Sequence, residues 1–206
     1  MAVKKILTID KYEKFLKTPS QPVKRINKDV KQLIKDLKDT MADPSVPAIG
    51  LSAPQIGVQK RVFAARMAYE EDQPDEEMAP PTIFINPEII EAQPEVERGF
   101  DACLSIPGMM GYTDRNVKIK VRYQDEAGKE VVSDFEGWDA RVIQHEIDHL
   151  DGILFLQRLA SLDDLYVYVK DKEGNHEPVP YNQVVKAATA PVEAEQPASV
   201  RLVKDK

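Results

Sequence analysis

The sequence predicts an α+β fold: antiparallel β-strands, partly curled around a central α-helix, with an N-terminal amphipathic helix packed outside. Three observations carry this. Residues 24–41 repeat apolar side chains at three- and four-residue steps. Residues 117–123 alternate strictly. Residues 138–150 combine a helical apolar pattern with the segment His145-Glu146-Ile147-Asp148-His149.

Taken in order, Ile26, Val30, Leu33, Ile34, Leu37 and Met41 form one apolar stripe, with Lys and Asp between them. Asp43-Pro44-Ser45-Val46-Pro47 ends that helix, because two prolines forbid its continuation. Ala48 to Gly57 is small, apolar and broken by Gly and Pro, so it reads as a buried turn leading into a strand at Arg61–Ala65. Gln55 stands out there, since a buried amide needs hydrogen-bond partners. Glu70 to Glu77 holds six acids in eight residues and reads as a solvated loop. Ile83-Phe84-Ile85 is a short strand stopped by Asn86-Pro87, with Glu88 to Ala92 as an edge continuation. Val117 to Tyr123 buries one face, Asp125 to Lys129 turns, and Glu130 to Phe135 pairs back as a hairpin. Trp138, Val142, Ile147 and Leu150 fit a buried helix that Gly152 ends. Beyond Leu159 the signals weaken. Leu165 to Val169 reads as strand or helix, and the polar chain from Asp171 onward reads as a partly disordered tail. The expected division is a catalytic domain at 1–160 and an extension at 161–206.

The chain has 206 residues, a size for one domain with a sizeable core. A net charge of −7 argues against DNA as a partner. The first 40 residues nevertheless carry 11 Lys/Arg against 5 Asp/Glu, a solvated face or an RNA contact. No run approaches the roughly 18 apolar residues that span a membrane. Met1 to Leu7 has no apolar stretch of signal-peptide length. A single cysteine, Cys103, excludes an internal disulfide and suits a reducing compartment, so the expected location is the cytoplasm.

Histidines four apart share a helical face, so His145 and His149 can grip one metal ion. Glu146 beside them can move a proton to or from a metal-bound water. A solvated helix face is the other reading of those five residues. Cys103, 42 residues upstream, supplies a third donor, and a Cys/His/His set leaves one position open for water. Thiolate suits Fe(II) or Zn(II). His176 lies in a polar stretch and is a poor ligand candidate.

With these residues in place, the sequence resembles the peptide deformylase family. Gly50-Leu51-Ser52-Ala53-Pro54-Gln55, Cys103-Leu104-Ser105 and Gln144 to Gly152 match its three motifs in order, and the resemblance covers roughly residues 5–160. It implies that Cys103, His145 and His149 hold one divalent metal. Fe(II) is the expected physiological ion, with Zn(II), Ni(II) or Co(II) as substitutes. It implies that Glu146 is the general base and then the acid, and that Gln55 and the backbone N–H of Leu104 stabilise the formyl oxyanion. Gly50 would let the substrate backbone approach. The implied substrates are formyl-methionyl nascent peptides, with formate released and ribosome contact as a further partner. Ile49, Val142 and Trp138 are candidate walls of a methionine slot, with plain core as the competing reading. Two positions depart from the family pattern. Asp101-Ala102 stands where Glu-Gly is usual, so Ala102 adds a methyl group along the substrate edge, and Ala48 replaces a glycine. The alternatives are another His-Glu-x-x-His metallohydrolase or peptidase, and a catalytically weakened binding module with the same fold.

Overall fold

A computed structural model describes residues 3–67, 80–170 and 176–189. The acidic stretch Glu70–Glu77 and the end of the expected tail lie outside the described residues. Two antiparallel sheets form the framework. The first contains β1 (Gly50–Ser52), β2 (Val62–Ala65), β3 (Thr82–Ala92), β6 (Lys118–Gln124) and β7 (Glu130–Glu136), in the order β1-β2-β3-β6-β7. The second contains β4 (Val96–Ala102), β5 (Met109–Asn116), β8 (Leu165–Lys170) and β9 (His176–Pro180), in the order β4-β5-β8-β9. The helices are α1 (Ile9–Leu16), α2 (Lys28–Met41), α3 (Gly137–Leu150) and α4 (Tyr181–Thr189). Among the described residues, no helix is long and apolar enough to cross a membrane.

Helix α2 follows its stripe. Val30, Leu33, Ile34, Leu37 and Met41 are buried against β1 and β2, together with Leu51, Val62 and Ala64. It starts four residues later than the periodicity suggests, because the Asn27 side chain accepts from the Val30 N–H at 3.0 Å and caps it. Helix α3 touches strands of both sheets: β1, β2, β6 and β7 in one, β5 in the other. Its apolar residues Ala140, Val142, Ile143, Ile147 and Leu150 pack with Phe63, Phe84, Ile119 and Val121.

Two expectations need correction. Asn86-Pro87 does not stop β3, which runs through it at a register shift between Ile85 and Glu88. Asn86 takes a left-handed φ of 50° and its amide exchanges two hydrogen bonds with the Val23 backbone, at 2.7 and 2.8 Å. Asn tolerates that conformation, and a bulge accepts a proline that cannot donate. Part of the Ala48–Gly57 turn is strand, since Gly50–Ser52 pairs with Phe63–Ala65. Strands β4 and β5 and helix α1 carry no clear sequence pattern. In β4 the usual polarity is inverted: Phe100 is 47% exposed while Asp101 is 5%. Leu165–Val169, expected as strand or helix, lies within β8. β8 pairs with β5, β9 pairs with β8, and α4 packs on both.

Candidate functional site

Helix α3 presents His145 and His149 one turn apart, their rings 4.9 Å between centroids and at 76°. Gln144 pins the helix to β5: its Nε2 donates to Asn116 O at 2.9 Å, and its Oε1 accepts from Asn116 N–H at 3.1 Å. Cys103, in the turn after β4, reaches the same place. Its Sγ lies 3.2 Å from His149 Nε2, and all three donor atoms fall within 4.8 Å of one another. A tetrahedral ion with metal–sulfur near 2.3 Å and metal–nitrogen near 2.05 Å needs donors about 3.5 Å apart. The trio fits one metal ion on that measure. The electrostatics agree. Burial would push the Cys103 thiol up, but the charge on His149 and the hydrogen bond with His145 hold it well below its usual value.

Two flanks of α3 support this trio. Toward β4 and β5, Asp101 Oδ1 lies 3.3 Å from His145 Nδ1. That contact turns the other ring nitrogen toward the sulfur. Asp101 Oδ2 accepts from Thr113 Oγ1 at 2.6 Å and from Arg115 Nε at 2.9 Å. Arg115 Nη1 continues to Asp148 Oδ2 at 2.9 Å, and Arg158 Nη2 donates to Asp148 Oδ1 at 2.5 Å. Burial would raise the Asp101 carboxyl, yet His145, then Arg115 and Thr113, hold it well below the carboxylate range.

Toward β1 stand Glu146, Ser52, Gln55 and Gly50. The Gln55 amide has one orientation. Its Oε1 accepts from Ser52 N–H at 2.8 Å and Ser52 Oγ at 2.9 Å, so its Nε2 faces the Cys103 sulfur at 3.5 Å. Glu146 is buried, and its Oε2 has no hydrogen-bond partner. Burial raises its pKa, against the lowering charge of His149 and His145. A Cβ on Gly50 would sit 2.4 Å from Glu146 Oε1. The glycine therefore makes room for the glutamate, whatever it also allows a substrate to do.

A cavity of about 400 Å³ opens onto this arrangement. Ile49, Gly50, Gln55, Ala102, Cys103, Leu104, Trp138, Val142, His145 and Glu146 all line it. His149 completes the trio from behind and is 1% exposed. His176 is exposed on β9 and stands outside the cluster. Asp101 is the supporting residue that the sequence alone did not reveal. It reads as a shortened Glu, and nothing local says that it grips His145. The Arg115–Asp148 pair was equally hidden, since 33 residues separate its members.

The family model for polypeptide deformylase matches residues 3–164. The chain is 39% identical to the peptide deformylase of Prochlorococcus marinus (strain NATL1A) over 117 residues, 57% of this chain and 55% of that protein. It thus spans about half the length of that relative. It is 38% identical to the peptide deformylase of Phenylobacterium zucineum (strain HLK1) over 162 residues, 79% of this chain and 90% of that one. The Met-Ala-Ser-bound peptide deformylase of Acinetobacter baumannii superposes with a TM-score of 0.68 at 32% identity, covering 77% of this chain and all of that one.

Proposed function

Since the chain belongs to the polypeptide deformylase family, we propose that it hydrolyses the formamide of formyl-methionyl nascent peptides, releasing formate and a free N-terminal methionine. The observation that carries this reading is the convergence on one cavity of Cys103, His145 and His149 with an unpartnered Glu146 oxygen and an amide N–H₂ from Gln55. We assign α3 as the central metal-bearing element, with Cys103, His145 and His149 holding the ion. Bound there, a divalent cation supplies Lewis-acid polarisation and can bring the pKa of water from 15.7 to about 7.

The chain's own residues do the rest. Glu146, with its pKa raised by burial, takes a proton from the attacking water and gives it to the leaving amine. Gln55 Nε2 donates to the formyl oxygen as it becomes an oxyanion. Its carbonyl end is fixed by Ser52, so no reorientation is needed. The Leu104 N–H follows the cysteine and aims at the same oxygen. One such donor is worth about 2.7–4 kcal/mol. Strand β1 is an edge of its sheet, and Gly50 and Ala102 border the cavity, so an extended peptide can lie against them. Ile49, Val142 and Trp138 form the methionine slot. The Met-Ala-Ser ligand of the Acinetobacter baumannii structure has the chemistry of the expected product.

Fe(II) is the physiological ion in this reading, with Ni(II), Co(II) or Zn(II) as substitutes, because a buried thiolate favours soft or borderline cations. The cytoplasm is the compartment. Residues 1–160 form the catalytic unit and 161–206 its extension. A ribosome contact would use the Lys/Arg surplus of the first 40 residues, and salt-dependent co-sedimentation tests it. The decisive experiment is formate release from formyl-Met peptides by anaerobic, iron- or nickel-loaded protein, with metal analysis of Cys103→Ala alongside. Formate from the parent and metal loss in the variant are expected. No formate overturns the reading, and full metal retention without the sulfur points to a different metallohydrolase.

A further inference from the structure

The family match ends at residue 164, but the wall of the cavity does not. Tyr168, on β8, lines the cavity as well. We propose that Tyr168 is a specificity-determining residue: it forms the outer wall of the site and selects peptides with apolar side chains in the two positions after the methionine. The inference rests on the peptide-hydrolase reading above.

The position of Tyr168 is fixed by its surroundings. β8 pairs with β5 at Met109↔Val167, Met110↔Tyr166 and Gly111↔Leu165. The Tyr168 N–H donates to Gly108 O at 2.9 Å, and its hydroxyl donates to Met110 Sδ at 3.2 Å. Tyr166, on the same face of the strand, meets Tyr112 edge-on at 5.7 Å. Leu165 and Tyr181 pack into the cluster that also contains Cys103, so the extension shares the core of the metal site.

The chemistry of the wall decides what it takes. Tyr168 is 45% exposed, and Phe100, leaning on Trp138 at 5.7 Å, is 47% exposed. Two half-exposed aromatic residues thus line one cavity, with Met109 and Pro107 also on its wall. Apart from Glu146, which serves the reacting formamide in the reading above, the lining charges are already committed. Asp101 holds His145 and Arg115, while Arg141 donates to Glu97 O at 2.8 Å and Gly99 O at 3.2 Å. An ionic side chain would find no free partner among them, whereas an apolar one would bury surface against rings and sulfur. A volume of about 400 Å³ lies in the range that holds a whole drug-sized ligand, more than one methionine side chain fills.

The test uses the full-length, nickel-loaded protein. Trp138 is its one tryptophan and sits on the cavity, so its fluorescence reports occupancy. The probes are the amidated peptides Met-Leu-Leu and Met-Ser-Ser. The parent should bind Met-Leu-Leu about tenfold more tightly. Tyr168→Ala should shrink that ratio to about twofold, and Tyr168→Phe should keep it, since the ring and not the hydroxyl makes the wall. Tyr168→Thr, a β-branched residue suited to a strand, gives the same readout should alanine unsettle β8. An unchanged ratio in the truncated variants overturns the assignment. So does an equal loss for both peptides, which would mark Tyr168 as a prop for Met110. Formate release from formyl-Met-Leu-Leu is followed on the same samples. A preserved preference without formate supports the wall and removes the hydrolase reading instead.

Discussion

The two flanks of α3 handle buried polar groups in opposite ways. Toward β4 and β5, Asp101, Arg115, Asp148 and Arg158 pair with one another within the chain, and even Arg115 Nη2, which makes no hydrogen bond, lies 2.8 Å from Asp101 Oδ2. Toward β1, Glu146 keeps a buried oxygen with no partner. Burial pushes both Asp101 and Glu146 upward. Histidine and arginine reverse the shift for Asp101, whereas the histidines only moderate it for Glu146. A completed network rigidifies a position, while an unfinished one leaves a group ready for what binds there. In the proposed mechanism, the difference separates a positioning flank from a reacting one.

Breaking the reacting flank should have the largest effect on rate. Glu146→Gln keeps the shape and removes the proton carrier, so kcat should fall by about 10²–10⁴. Metal content, read by elemental analysis, should stay at the parent value. Breaking the positioning flank should instead cost stability. Arg115→Met leaves Asp101 and Asp148 buried without their shared cation, and denaturant unfolding should show a loss of about 3–5 kcal/mol. A small loss would mean that Arg158 alone can hold Asp148.

The boundary between the flanks can be sharpened with Gly50→Ala. Its new methyl group would overlap Glu146 Oε1, so the carboxylate must move. A displacement of roughly 1 Å costs about 10²-fold in rate. Formate assays should show that loss with little change in the unfolding midpoint. A milder change on the other side is Asp101→Asn, which weakens the hold on His145. Metal affinity should drop about 10–100-fold in a chelator competition. The smallest effect is expected far from both flanks. Lys120→Ala removes the 2.9 Å pair with Glu91, but both side chains are solvated and the melting temperature should not shift measurably.

The ligand pattern was legible because its members are local or chemically rare. His145, Glu146 and His149 sit within one helical turn, and only one cysteine exists to join them. The stripe on α2 and the alternation of β6 were legible for the same reason: each periodicity belongs to one element. Strands β4 and β5 were not, because their inward positions include Asp101 and Arg115, each buried beside the other. A charged residue facing the core breaks the apolar code by which a strand is read.

The sequence by itself picked out the Cys103, His145 and His149 donor set, Glu146 as the proposed acid–base residue and the helix that carries three of these four, since they follow from residue chemistry and short-range spacing. Tertiary structure alone decided which carboxylate grips His145, why a side chain at residue 50 would meet Glu146, and that a strand beyond residue 164 contributes a residue to the cavity lining. Those contacts join residues far apart in the chain, across two sheets and a helix. Their existence depends on how the elements pack, and no local pattern encodes that.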